Sequence, residues 1–135
     1  MAADIDSILR ETRTVAIVGA SANRARAVYG VWRYLASASD YELFLVNPTV
    51  DEIDGTPTYP SLAALPVIPD LVDVFRRREH LPAVLQEAID VGAKTLWLQS
   101  GLWDDGVARD GAAAGLQVVM DRCLKVEHAR LLSVS

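Results

Sequence analysis

Short apolar runs rich in β-branched residues alternate along the chain with longer segments of helical periodicity, and this alternation limits the possible folds more than any other feature. Unbroken runs of this kind are typical of strands that are buried on both faces, as in a parallel sheet. The predicted strands are Thr14–Val18, Leu43–Val46, Leu71–Phe75, Thr95–Leu98 and Gln117–Met120.

The intervening segments predict helices, and Ala27–Ala38 has the clearest helical spacing of apolar residues. The other predicted helices are Asp4–Arg13, Glu79–Val91, Asp104–Ala114 and Leu124–Arg130. The stretch Thr49–Pro60 is too rich in turn residues for a crossover helix. We expect only a short extra strand near Thr56–Tyr59 in it, followed by a single helical turn that Ser61 caps.

Strands that alternate with helices predict an α/β fold, namely a Rossmann-like doubly wound parallel sheet of five to six strands in a three-layer α/β/α arrangement. Because crossovers are right-handed, the favoured strand order is 2-1-3-4-5, with the extra strand outside strand 2. The 135 residues suit one domain, residues 1–135. The order reverses beside the carboxyl end of the first strand, and such folds bind their ligands at that point.

Composition excludes several classes of function. A formal net charge of −5 argues against a nucleic-acid-binding protein, and no run of about 18 apolar residues predicts a membrane span. Met1–Arg10 carries acids and lacks an apolar signal core, and Cys123 is the single cysteine, so we expect a cytoplasmic protein. His80 and His128 stand apart from other metal-ligating residues, so no metal site is predicted.

The segment Gly19-Ala20-Ser21 directly follows the first strand and precedes a helix. Gly19 permits a sharp turn, and we expect the amides of the loop and of the helix start to face an anion. Ser21 can add a hydroxyl, and Arg24 or Arg26 can pair with a phosphate. The alternative is a plain strand-to-helix turn without a ligand.

A second arginine cluster follows the third strand, which is the neighbour across the predicted crevice. This cluster consists of Arg76, Arg77 and Arg78. Local arginine clusters at strand ends of an acidic protein favour a small anionic ligand. The alternative is that these arginines form a solvated surface.

The loop after the first strand does not fit the dinucleotide fingerprint. The pattern G-x-G-x-x-G would need glycine at Ser21 and at Arg24. Nicotinamide enzymes also place an acid at the end of the second strand, where this chain has Asn47 and Pro48. An NAD(P)-binding module is therefore a disfavoured alternative, and a Walker loop is excluded because its G-K-[ST] ending is absent.

Several short segments stand in a characteristic order between Thr12 and Leu131. They are VGAS (18–21), Arg26, Tyr29, YL (34–35), LVNP (45–48), TYPSL (58–62), DVFRR (73–77), AIDVGAK (88–94), WLQSG (97–101) and VVMDRCLKVEHARL (118–131). In this order they resemble the coenzyme A-binding domain family, and within it the small stand-alone members called YccU-like. These members are similar to the nucleotide-binding domain of the succinyl-coenzyme A synthetase alpha subunit.

The resemblance implies that the chain binds coenzyme A or an acyl-coenzyme A. It implies phosphates at the first loop, the nucleotide pocket at the end of the second strand, the adenosine or pyrophosphate part at the end of the third, and the border of the crevice after the fourth. Including the loop residues named above, the candidate cofactor-binding residues are Gly19, Ala20, Ser21, Arg24, Arg26, Tyr29, Asn47, Pro48, Phe75, Arg76, Arg77, Gln99 and Gly101. Val28 stands where the family commonly has a serine, which removes one potential phosphate contact.

We favour a binding protein, a carrier, sensor or regulator, over an enzyme, and no residue is proposed as catalytic. The phosphohistidine domain and the ATP-binding partner subunit of the synthetase have no counterpart in this chain. One alternative is an enzyme that acts on a coenzyme A thioester or a nucleotide on the same scaffold. Another is an interaction protein whose pocket has decayed. Small doubly wound domains commonly dimerise, so a homodimer is also considered.

Four further residues have a functional and a structural interpretation, and the structural one is favoured for each. Cys123 either forms a mixed disulfide with a thiol cofactor or is a small buried hydrophobe. Glu127 and His128 either perform acid–base chemistry or dock the terminal helix onto the sheet. Trp103 either covers a ligand or packs in or near the core, as the other two tryptophans do.

Overall fold

The strands of the molecule lie side by side in one mostly parallel sheet. A computed structural model describes residues 4–133, so the first three residues of the Met1–Arg10 segment lie outside the described part. The strands are β1 (Thr14–Val18), β2 (Glu42–Val46), β3 (Glu52–Ile53), β4 (Thr56–Tyr59), β5 (Leu71–Val74), β6 (Thr95–Leu98) and β7 (Gln117–Val119). The helices are α1 (Ile5–Glu11), α2 (Ala27–Ala38), α3 (Leu81–Val91), α4 (Asp105–Ala113) and α5 (Leu124–Ser133).

The strand order is β3-β4-β2-β1-β5-β6-β7, and every neighbouring pair is parallel except β3 with β4. This confirms the predicted α/β Rossmann-like fold, the order of its five main strands and the extra strand outside β2. The sheet has seven strands in the described residues, more than the predicted five to six. The additional one is β3, which pairs with β4 through the turn Asp54-Gly55, where both residues have positive φ.

Several predicted elements also differ in detail from the observed ones. Ser61 precedes a short 3-10 turn at Leu62–Ala64, but its side chain makes no capping hydrogen bond, so the predicted cap is wrong. The segment Arg78–His80 forms a separate 3-10 turn before α3, because Pro82 in the first turn of α3 has a ring that fits only the start of a helix. The last helix extends beyond Arg130.

Side chains of each central strand alternate between two apolar layers. Ile17 and Trp97 point to the layer that α1, α2 and α5 cover, whereas Ala16 and Leu96 point to the layer under α3 and α4. The indole nitrogen of Trp97, which has no exposed surface, donates a hydrogen bond of 2.8 Å to the carbonyl of Arg122. The two layers hold the sheet rigid, and the carboxyl ends of β1, β5 and β6 emerge together at one edge.

At the opposite edge, Asp70 ties the beginning of β5 to the beginning of β1. Its Oδ2 accepts hydrogen bonds from the amides of Arg13 at 2.8 Å and of Thr14 at 3.1 Å. Burial alone would raise the pKa of Asp70, but these amide bonds and the Lys94 ammonium at 3.6 Å outweigh it and lower the pKa. The ionised carboxylate therefore stabilises the strand register.

We expect Asp70→Ala to lower the free energy of unfolding by about 1–3 kcal/mol at pH 7, because hydrogen bonds to a charged acceptor are lost. Since the folded pKa lies below the unfolded value of 3.8, this stabilisation is full above that pH and disappears as the pH falls further. Urea unfolding at pH 7 and pH 3 measures the effect. An equal loss in the exposed control Asp51→Ala, or a loss that does not become smaller as the pH falls below 3.8, would contradict it.

Candidate functional site

A cleft of about 290 Å³ opens at the carboxyl ends of β1, β5 and β6, the edge where the sequence predicts a ligand site. Five of the predicted site residues line it, namely Gly19, Arg26, Phe75, Arg76 and Gln99. The lining also includes Ala27, Val28, Ser100 and Leu102, none of which the sequence analysis named as a contact. The cleft therefore lies at the predicted reversal of strand order, between the first loop and the end of β6.

Gly19 brings the ends of β1 and β5 into contact. Its φ is +90°, a conformation that favours glycine, and a Cβ built on it would overlap the carbonyl group of Phe75. The amide of Phe75 in turn donates to the carbonyl of Val18 at 2.9 Å. No larger residue fits at this position, so the floor of the cleft depends on glycine here.

The first amides of the loop do not face the cleft as an anion-binding loop would require. The amides of Gly19 and Ala20 both donate to the carbonyl of Val46, at 3.1 Å and 3.3 Å. Asn47 fixes the same loop through a bond of 2.8 Å from its Nδ2 to the carbonyl of Ala20. Ser21 Oγ accepts from the amide of Asn23 at 3.0 Å. These residues shape the loop, and the expectation that its first amides face an anion is wrong.

The start of the helix, the other part of the expected anion site, does border the cleft. Arg26 is its N-cap residue and makes no side-chain capping bond, and Ala27 and Val28, the next two residues, line the cleft. Amides in the first turn of a helix have no intrahelical partner, and the helix dipole makes this end positive. The cleft therefore presents helix amides and a guanidinium at one wall.

The arginines of the two predicted clusters separate in the structure. Arg26 and Arg76 line the cleft. Arg24 lies over the ring of Tyr29, 5.6 Å from its centroid. Arg77 has an 85% exposed side chain and lies 3.8 Å from the carboxylate of Glu79, and Arg78 stacks on Trp103 at 4.8 Å. The geometry thus brings one arginine of each cluster into the cleft.

Tyr29, Asn47 and Pro48 lie on the β2 side of the loop and are not part of the cleft lining. The hydroxyl of Tyr29 donates to Asp54 Oδ2 at 2.5 Å, and this hydrogen bond raises the pKa of Tyr29. Its ring packs edge-to-face on Trp32. Tyr29 therefore fastens the start of α2 to the β3–β4 hairpin.

The loop after β6 completes the cleft. Gln99 is buried, and its Oε1 accepts a hydrogen bond of 3.3 Å from the amide of Leu124, the first residue of α5. Gly101 has a φ of +86°, and its amide donates to Asp121 Oδ1 at 2.7 Å. Gly101 is not a lining residue, so its role is to direct Ser100 and Leu102 into the cleft.

Asp73 in β5 is a functional candidate that the sequence analysis did not single out. Its side chain has no exposed surface, and neither carboxyl oxygen has a hydrogen-bond partner in the part of the chain that the structure describes. Burial raises the pKa of this carboxyl well above its usual range. The signal in the sequence was an acid within the otherwise apolar run Leu71–Val74.

The residues with two interpretations take mostly structural positions. His128 Nδ1 lies 2.9 Å from the hydroxyl of Tyr34, and burial lowers the pKa of His128. Glu127 is buried between two arginines, so both residues dock α5, as the structural interpretation predicted. Cys123 is half-buried against the apolar layer. Trp103 is 46% exposed, so its assignment to the core is wrong.

Within residues 4–133, no group of three or more His, Cys, Asp or Glu residues is arranged to hold a metal ion. Over the same range, no helix has the length and apolar character needed to cross a bilayer.

A protein-family model and a bacterial relative match most of this chain. The family model for the CoA binding domain matches residues 13–129. The uncharacterized protein YneT of Bacillus subtilis (strain 168) is 37% identical over 127 residues, which span 94% of this chain and 93% of that protein.

Solved structures share the architecture. A hypothetical protein from Pyrococcus horikoshii OT3 matches with 34% identity and a TM-score of 0.90, over 96% of this chain and 90% of that one. A Thermus thermophilus protein matches with 35% identity and a TM-score of 0.86, over 93% and 94%. A dinucleotide forming acetyl-coenzyme A synthetase of Ca. Korarchaeum cryptofilum shares the fold alone, with 20% identity and a TM-score of 0.74, over 84% of this chain and 27% of that one.

We expect Gly19→Ala to destabilise the protein by about 2–3 kcal/mol, because it combines an unfavourable φ with an overlap on the Phe75 carbonyl. Gly115→Ala is a matched control, since Gly115 has a φ of +89° but open space around a Cβ. Denaturant unfolding of both variants separates the two effects. Equal losses of stability would show that the close approach to β5 contributes nothing.

We expect Asp73→Val to raise the free energy of unfolding by about 1–3 kcal/mol at neutral pH, because a buried polar group without a partner is removed. The folded protein holds this proton to higher pH than the unfolded chain. Wild-type stability is therefore full below the unfolded pKa of 3.8 and falls as the pH rises toward the raised folded value. Thermal unfolding between pH 5 and pH 9 measures the stability gained by Asp73→Val, and we expect this gain to grow with pH. A gain that is independent of pH would contradict this expectation. So would a similar gain in the exposed control Asp51→Val.

Proposed function

The chain belongs to the CoA binding domain family, and on that premise we propose that it binds coenzyme A in the cleft at the ends of β1, β5 and β6. The observation that carries this proposal is the meeting of Arg26, Arg76 and the amino end of α2 in one cleft. A pyrophosphate at this point gains forked guanidinium hydrogen bonds and the favourable end of the helix dipole.

The rest of the lining suits the uncharged arm of the same ligand. Phe75, Val28 and Leu102 offer apolar surface, and Ser100 and Gln99 offer polar atoms beside it. Coenzyme A joins an anionic nucleotide to a thiol-bearing arm that contains amides, so it needs a site with a cationic part and a mixed apolar part. We assign the pyrophosphate to the α2 wall and the arm to the surface between β5 and β6.

The β2 side of the loop is available for the remote end of the nucleotide. Arg24 is exposed over the Tyr29 ring, and Pro48 follows the end of β2 next to Asn47. We propose Arg24 as the partner of the phosphate that lies outside the pyrophosphate. Asn47 and Tyr29 support this part through the loop and the hairpin, and Arg77 has no role in the proposed site.

A binding function is favoured over catalysis by the chemistry of the lining. The cleft residues supply guanidinium, amide and hydroxyl groups but no carboxylate, imidazole or thiol. Acid–base chemistry on a thioester would need one of those groups within reach of the ligand, and the Ser100 hydroxyl would need such a group as a base to act as a nucleophile. We therefore propose a carrier, sensor or regulatory role. The homodimer and the cytoplasmic location expected from the sequence stay predictions.

We expect coenzyme A to raise the melting temperature of the wild-type protein, since a ligand that binds only the folded state stabilises it. Arg26→Ala and Arg76→Ala should each weaken binding about 10- to 100-fold, as expected for loss of a charge-assisted hydrogen bond. Titration calorimetry measures these constants, and dephospho-coenzyme A tests the contact proposed for Arg24.

Arg109→Ala is the matched control, because it removes the same charge from α4, outside the cleft. Absence of binding at millimolar coenzyme A would overturn the proposed function. Equal effects of the Arg26, Arg76 and Arg109 substitutions would overturn the assignment of the ligand to this cleft.

A further inference from the structure

Asp73 lies directly beneath the cleft described above. In the sheet it stands between Ile17 of β1 and Trp97 of β6, on the face that α2 and α5 cover. Side chains two residues apart in a strand point to the same face and are about 6–7 Å apart along it. Phe75 and Gln99, which follow Asp73 and Trp97 by two residues, both line the cleft. The carboxyl is therefore one step below the cleft floor.

No hydrogen bond among the described residues stabilises the ionised form of Asp73. Its oxygens lack partners among the described residues, and an isolated charge in the protein interior carries a large desolvation cost. Burial is the cause that raises its pKa, and no charged neighbour within residues 4–133 contributes. The apolar surroundings alone therefore favour the protonated form of Asp73. A negative charge brought near it raises the pKa of this carboxyl further, and a positive charge lowers it.

The elements packed on this face offer few competing charges. The titratable groups packed on this layer are Tyr29 and Tyr34 of α2, Tyr41 after it, and Cys123, Glu127 and His128 of the α5 region. From α1 the layer receives Ile5, Ile8 and Leu9, which are apolar. Glu127 is compensated by arginines, and Tyr34 holds the His128 ring. The nearest cations at the cleft are Arg26 and Arg76, the groups that a bound anion would neutralise.

We propose that Asp73 is a proton-binding site that makes anion binding in the cleft dependent on pH. Ionised Asp73 places a negative charge one step below the cleft floor, so the protonated form binds an anion in the cleft more tightly. By linkage, the bound anion strengthens retention of the proton by the same factor. This inference rests on the proposed function, because it needs an anion in the cleft.

The test compares coenzyme A binding to wild-type protein and Asp73→Asn between pH 6 and pH 9. Asparagine has nearly the same shape and cannot ionise. The dissociation constant of the wild type should rise with pH more steeply than that of the variant, by up to about tenfold per unit where the free protein is ionised and the complex is not. Titration of coenzyme A itself affects both proteins equally, so the difference in slope reports Asp73.

Calorimetry in two buffers of different ionisation enthalpy counts the protons taken up on binding. The wild type should take up more protons than Asp73→Asn at the alkaline end, up to about one per ligand. Asp105→Asn, the same exchange at an exposed position on α4, should behave as the wild type. Equal slopes and equal proton uptake in the wild type and Asp73→Asn would overturn the inference while leaving the proposed function intact.

A second measurement does not depend on the variant folding. In wild-type protein labelled with ¹³C at aspartate carboxyls, the one buried carboxyl resonance that titrates far above the others should move its midpoint to higher pH when coenzyme A is added. An unchanged midpoint in protein that binds coenzyme A overturns the inference alone. Failure of the wild type to bind coenzyme A at any pH overturns the proposed function and this inference with it.

Discussion

The contact between Gly19 and the carbonyl of Phe75 is the constraint on which the cleft depends. Because nothing larger than hydrogen fits between the two chains, the end of β1 can turn away from the sheet while the end of β5 stays against it. That turn leads to the start of α2, whose first residues line the cleft together with Phe75 and Arg76. If the two strands stood further apart, Arg26 and Arg76 would not share one cleft.

The sequence predicted the architecture well, because the information is local. Runs such as Val15–Val18 and Leu96–Leu98 are apolar throughout, as in strands that are covered on both faces. Right-handed crossovers then leave little choice of strand order. The hairpin of β3 was missed, although Asp54-Gly55 is a typical turn pair. Its two strands are too short to show an alternation of apolar and polar residues. Only the turn residues therefore indicate the hairpin in the sequence.

The site was predicted less completely, since side-chain direction is not encoded locally. Arg76 and Arg77 are adjacent in the chain, yet only Arg76 lines the cleft, because the loop after β5 leaves Arg77 in solvent beside Glu79. Likewise, Gly19 and Ala20 donate to Val46 rather than to a ligand, which depends on the position of β2. Asp73 is visible as an acid in an apolar run, but only the packed structure shows that its oxygens lack partners among the described residues.

Gln99 belongs at once to the cleft floor and to the start of the last helix, where it accepts a hydrogen bond from Leu124. Trp97 and Gly101 form hydrogen bonds with Arg122 and Asp121, in the segment that leads into the same helix. The shape of the cleft thus depends on residues 121–124, which do not line it. During divergence, ligand preference in such a chain can drift through substitutions in residues 121–124 while every lining residue stays constant. Comparing lining residues alone would then underestimate how far two relatives have separated in specificity.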